Sequence, residues 1–211
     1  MSATAKNTTE ANYYKIENFS FVKNVKEKTE ISKVRVFNDK EYFFEEYKEI
    51  KGTLKKIYLN EKESNDGTKK WTEITFSLKD ESGTIENIST YFLNDESTEI
   101  INRLINCDYK KEILFKIFRT EKTKKDGKKF FITMVCLYQF HINKKLNNKL
   151  ETILIPKAFI YDQEAGEFNT IDGVGQLPLK EVKEVKKVKI YDNSRQMDFF
   201  KVVVENINKL I

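Results

Sequence analysis

The sequence predicts a mainly-β protein built on a small five-stranded barrel, with one helix between the third and fourth strands, additional strands outside the barrel and an amphipathic C-terminal helix. Three observations carry that expectation. Residues 60–70 and 120–129 each contain Asp-Gly, at Asp66-Gly67 and Asp126-Gly127, a turn signal because glycine accepts positive φ without a Cβ clash. Both tips are flanked by runs of β-branched and aromatic residues that read as strands. Between them, Ile100, Ile101, Leu104 and Ile105 recur at helical spacing within residues 95–107.

Taken in order, residues 1–12 are small and polar and read as a flexible arm. Residues 13–45 form an N-terminal extension packed on the barrel. Within it, 13–25 mix aromatics and lysines without a clean period, 31–37 alternate as a strand, and Asn38-Asp39 is a turn. Tyr42, Phe43 and Phe44 lead into the first barrel strand, over 47–59. There Ile50, Gly52 and Leu54 share one face, after which the apolar positions shift to Ile57 and Leu59. That change of parity predicts a bulge near Lys55-Lys56, and Gly52 fits a place where another backbone passes close. A long, bent strand serving two parts of a sheet is what closing a small barrel requires.

The second strand, 70–78, turns Ile74, Phe76 and Leu78 inward and Trp71, Glu73, Thr75 and Ser77 outward. After a turn at 80–83, the third points Ile88 and Phe92 in and Asn87, Ser89 and Tyr91 out. Asp95 is the expected helix N-cap, and the helix plugs one end of the barrel. The fourth strand, 111–119, sets Ile113, Phe115 and Ile117 against Lys116 and Phe118. The fifth, 130–138, is apolar on both faces and is expected to be covered on both.

This core spans 46–139, and 140–211 form a C-terminal extension. Residues 141–149 read as a polar, basic loop. Residues 152–155 and 158–161 read as strand pieces separated by Pro156, and 166–178 as turns. Val182, Val185, Val188 and Ile190 fit either helix or strand. Met197, Phe200, Val203, Val204, Ile207, Leu210 and Ile211 line one helical face. It packs on its own barrel or on a second copy or a replication protein.

The 211 residues are 39% hydrophobic and 13% aromatic, enough apolar material to argue against wholesale disorder. A net charge of +5 suits a polyanionic partner without requiring one. Cys107 and Cys136 read as buried free thiols of a reducing compartment. With no signal-peptide pattern near the start and no membrane-length apolar run, a cytoplasmic location follows. His141 is the only histidine, which leaves Cys/His zinc sites and a His-dependent triad unsupported. Residues 172–175 pattern as a turn, since no Lys-Ser/Thr follows the glycines. The carboxylate pairs Asp80-Glu81 and Asp95-Glu96 could hold magnesium for a nuclease, but a turn and a helix start account for them. No catalytic residue, metal or cofactor is expected.

The outward positions carry the chemistry. Trp71, Glu73, Thr75, Asn87, Ser89 and Tyr91 share the predicted open face, with Tyr58 and Phe118 on adjacent strands. Lys69, Lys70, Lys116, Arg119, Lys124, Lys125, Lys128 and Lys129 lie at its rim. Sequence-tolerant binding of single strands needs aromatic faces for bases and cations along the phosphates. The second tip carries five lysines against Glu121 and Asp126, whereas Glu61, Glu63 and Asp66 offset Lys62, Lys69 and Lys70 in the first. Plainer roles stand beside these. Lysines on hairpin tips solubilise and protect edges, Trp71 can cap a barrel, and Tyr91 and Phe118 can lie under C-terminal segments.

Five strands with a helix between the third and fourth resemble the oligonucleotide-binding (OB) fold, whose second and third strands present an open face flanked by the two loops that are basic hairpins here. The resemblance covers residues 46–139. It implies a non-enzymatic single-stranded-DNA-binding protein, of the kind that phages also encode, acting in DNA replication or recombination; RNA satisfies the same chemistry. The chain ends Glu205-Asn-Ile-Asn-Lys-Leu-Ile211 and so departs from members with an acidic recruiting tail. The alternative is a β-rich structural or assembly protein acting through protein–protein contacts.

Overall fold

A ten-stranded sheet organises the chain. The computed structural model describes residues 10–124, 126–143, 149–185 and 188–211. β1 (Ala11–Glu17) and β2 (Ser20–Val25) form a hairpin, as do β3 (Lys33–Phe37) and β4 (Lys40–Tyr47). Their two-residue turns, Asn18-Phe19 and Asn38-Asp39, have positive φ throughout, which matches the right-handed twist of the flanking strands. β5 (Glu49–Glu63), β6 (Lys70–Lys79) and β7 (Ile85–Tyr91) make a meander, followed by α1 (Asp95–Leu104). β8 (Ile113–Thr123) and β9 (Lys129–Asn143) form the second long hairpin, and β10 (Lys149–Leu154) pairs with β9. The order across the sheet is β10-β9-β8-β5-β6-β7-β1-β2-β4-β3.

The five expected barrel strands are β5 to β9, and both Asp-Gly tips are hairpin turns, with Gly67 and Gly127 at positive φ. The expected closure is not found: among the described residues no ladder joins β7 to β9. The outer edge of β7 pairs in parallel with β1 instead, with Tyr13 opposite Asn87 and Lys15 opposite Ser89. Ala11 and Asn12, assigned above to a flexible arm, are therefore strand residues; the arm's residues 1–9 lie outside those described. Tyr14, Phe21 and Val22 are buried.

β5 serves both halves of the sheet. Its first four residues pair with β8, and from Thr53 onward it pairs with β6. The register shifts between Leu54 and Lys56, so the expected bulge is present with Lys55 as the extra residue. A Cβ on Gly52 would stand 2.8 Å from the Lys79 carbonyl oxygen, so only glycine fits this approach of β5 to β6.

α1 buries Ile100, Ile101 and Leu104 completely. Its cap is Asn94, one residue before the expected Asp95. Leu93 enters with φ +66°, and Asn94 Oδ1 accepts from the Ser97 amide at 2.8 Å. The helix ends at Leu104 because Asn106 and Cys107 close a tighter turn on Arg103 and Leu104. β9 is buried through Val135, Cys136 and Leu137, but Phe130 and Phe131 at its start are exposed, so coverage of both faces holds only mid-strand. His141 and Ile142 continue β9, opposite Glu151 and Leu150, instead of forming a loop; residues 144–148 lie outside those described.

Of residues 158–161, expected as a strand piece, only Tyr161 lies in a strand. Ile155, Ala158 and Phe159 are buried against α1, where the Asn102 amide donates to the Phe159 carbonyl and accepts from its N–H. Two short pairs follow, β11 (Tyr161–Asp162) with β12 (Glu167–Phe168), and β13 (Thr170–Ile171) with β14 (Gly175–Gln176). The ambiguous valine-rich stretch is a hairpin of β15 (Glu181–Val185) and β16 (Val188–Asp192). α2 (Ser194–Leu210) buries Phe200, Val203, Val204 and Ile207 in the common core, while Leu210 and Ile211 are exposed.

The Asn208 amide of α2 accepts from the Ile57 N–H at 2.8 Å and donates to the Ile57 carbonyl at 2.9 Å, two residues past the bulge. Asn208→Ala leaves both groups unpartnered and is expected to lower stability by about 1–3 kcal/mol, measured by urea unfolding; an unchanged midpoint would remove this clamp from the account.

Candidate nucleic-acid interface

Because the bulge shifts parity, Ile57 faces the core while Lys56 and Tyr58 are exposed. Strand pairing then sets side chains in rows across β5, β6 and β7. Lys56, Ser77 and Asn87 form one row, Tyr58, Thr75 and Ser89 the next, and Asn60, Glu73 and Tyr91 a third. β1 extends the first two rows with Tyr13 and Lys15. An open groove of about 650 Å³ runs over this surface, with Thr75, Ser77, Asn87 and Ser89 along its floor and Tyr13, Tyr58, Lys55, Lys56 and Lys62 among its walls.

The floor is hydroxyl and amide, and Thr75 Oγ1 and Ser89 Oγ share a hydrogen bond at 3.0 Å. The rings stand proud of it: Tyr13 is 68% exposed, Tyr58 42% and Tyr91 61%. Lys56 Nζ lies 5.0 Å from the Tyr58 ring centre. Half-buried Trp71 meets Tyr91 edge to face at 6.4 Å. Among the described residues, Glu73 is the one carboxylate lining this groove; it repels phosphate but can accept from base amino groups.

The predicted site residues divide into two groups. Tyr58, Trp71, Thr75, Asn87 and Tyr91 belong to the β5–β7 surface. Lys116, Phe118, Arg119, Lys124, Lys128 and Lys129 belong to the β8–β9 arm, and Lys125 lies outside the described residues. Among the described residues, no hydrogen bond, ion pair or ring contact joins the two groups.

Several arm cations already have partners. Lys116 pairs with Glu49 at 2.7 Å, Lys129 with Glu121 at 2.7 Å and Lys128 with Asp126 at 3.5 Å. The Arg119 guanidinium stacks 3.6 Å from the Phe131 ring centre. Phe118 lies on the opposite face of the arm, across from Met134. Lys124 Nζ is 5.7 Å from the Phe130 ring. At the other tip, Lys70 pairs with Glu63 at 3.5 Å, and the Lys69 amide donates to Ser64 Oγ. Hydrogen bonds from the Ser64 and Thr68 hydroxyls pull the Asp66 carboxyl down to about 2, so this tip is held by an ionised carboxylate.

Tyr13, Lys15, Lys55, Lys56 and Lys62 were not among the sequence-derived candidates. The alternation of Tyr14, Lys15, Ile16 and Glu17 marks a strand, but only its pairing with β7 places Tyr13 and Lys15 beside the groove. Burial pushes the Cys107 thiol up to about 12, with Asp108 adding to the effect, and burial also raises Cys136, so neither is an activated nucleophile. Among the described residues, no cluster of three or more His, Cys, Asp or Glu could hold a metal ion, and no helix is long and apolar enough to cross a membrane. No family model, curated protein or solved structure matches the chain.

Tyr91→Ala is expected to alter Trp71 emission while lowering stability by no more than about 1.5 kcal/mol, the upper range for one aromatic pair. Unchanged emission would show that the two rings do not pack together in solution.

Proposed function

We propose that the chain binds single-stranded DNA with little sequence preference, as a non-enzymatic OB-type protein of replication or recombination. The groove over β5, β6, β7 and β1 carries the reading, because it combines exposed tyrosine rings, a polar floor and a lysine wall. Bases stack on Tyr58, Tyr13 and Tyr91, each worth about 1–3 kcal/mol. Floor hydroxyls and the Asn87 amide offer hydrogen bonds that many base edges can use. Lys15, Lys55, Lys56 and Lys62 neutralise phosphates.

The neighbour order β9-β8-β5-β6-β7, with α1 between β7 and β8, supports an OB-type arrangement in which β1 takes the edge where a barrel would close. RNA offers the same bases and phosphates and binds the same surface in this account. The alternative, an assembly protein, is favoured by β3, an outermost strand exposed at every residue.

Trp71 fluorescence titrated with oligo-dT at two salt concentrations tests the proposal. Four lysines on phosphates predict quenching with a salt slope of about −3 in log K against log salt. No quenching together with no gel shift would sink the binding reading and favour the assembly role.

A further inference from the structure

The groove does not stop at β1. Its floor continues through a depression of about 310 Å³ lined in part by Tyr13, Lys15, Lys23 and Asn24. Beyond it, on β2, β3 and β4, lies a separate hollow of about 260 Å³ formed by Asn24, Arg35, Phe37, Tyr42 and Phe44. Asn24 belongs to both. Apart from Lys23, which is opposite Glu45 and alternates to the reverse face, strand register keeps these residues on one face: Tyr13 is paired with Asn87 and Asn24 with Phe44, while Arg35 is opposite Tyr42.

We infer that this hollow is a second stacking site for the same single-stranded nucleic acid, reached by a strand that crosses β1 and β2. The inference rests on the proposed groove and lengthens its footprint. Phe37 is 63% exposed and Tyr42 49%, and the Arg35 guanidinium stands 5.1 Å from the Phe44 ring centre. Rings and a guanidinium together supply both stacking and phosphate contact. Chemistry also divides the two faces of this hairpin. Alternation puts Phe37, Tyr42, Phe44, Lys33 and Arg35 on the groove side and Val34 and Val36 on the reverse.

The local ion pairs, Arg35 with Glu17 at 3.4 Å and Lys33 with Glu46 at 2.7 Å, are exposed. Such pairs hold weakly in water, so a phosphate can displace the carboxylates. Six inter-strand steps separate β5 from β3, a path of about 29 Å at the usual spacing. A short oligomer therefore fills the first groove alone, whereas a long one reaches both.

The test uses the full chain and fluorescein-labelled oligo-dT of about 4 and about 16 nucleotides, within the range of single OB sites, read by anisotropy. The exposed positions make Phe37→Ala/Tyr42→Ala a fold-neutral variant, and Arg35→Gln provides a second. Each variant is expected to weaken binding of the long oligomer, the double variant by about tenfold, with the short oligomer unchanged. Wild-type affinity of both variants for the long oligomer, or an equal loss on both oligomers, would overturn the second site. Failure of the wild-type chain to bind either oligomer is a different result, which defeats the first groove itself.

Discussion

β5 has to pair with β8 through its first four residues and with β6 through the rest, and it can do both only by bending sharply. Gly52 allows the close approach to Lys79, and the extra residue Lys55 resets the parity of everything after it. A one-residue slip here would exchange the two faces of the strand. Ile57 and Leu59 would then leave the core, and Lys56 and Tyr58 would leave the groove. Asn208 hydrogen-bonds to the backbone just beyond the bulge, so the C-terminal helix helps maintain the geometry of the candidate interface.

The N-terminal hairpins depend on a second anchor, on the inner side of the sheet. Tyr14 and Tyr47 meet edge to face at 5.5 Å. The Tyr47 hydroxyl and Thr29 Oγ1 both donate to the buried Glu45 carboxylate. These bonds lower Glu45, whereas burial and the Glu45 contact push Tyr47 up to about 12. Asn12 donates to Glu86 at 3.0 Å, tying β1 to β7. The result is an edge occupied by β1, whose outward residues Tyr13 and Lys15 enlarge the groove.

Local patterns in the sequence were enough to read the hairpin tips, the bulge, the role of Gly52 and the outward residues of β6 and β7. Each depends on turn chemistry or on period-two alternation over a few residues. The parallel pairing of β1 with β7 joins positions 74 apart, as at Tyr13 and Asn87, and leaves no such local mark. Asn94 and Asp95 are both good caps, and only the folded chain shows that the Asn94 side chain takes the Ser97 amide. The candidate site divided the same way. Tyr58, Trp71, Thr75, Asn87 and Tyr91 were legible from alternation, whereas Tyr13 and Lys15 needed the nonlocal pairing. Counting charge at the second tip says nothing of the carboxylate partners of Lys128 and Lys129, which only the folded arm reveals.

The central claim is that bound single strands lie on the outer face of β5, β6, β7 and β1. Backbone amide shifts of the isotope-labelled chain, followed on addition of oligo-dT, test it most directly. The account predicts the largest changes at Lys56, Tyr58, Thr75, Asn87, Ser89 and Tyr13. Changes confined to the β8–β9 tip or to α2, with those residues still, would contradict it.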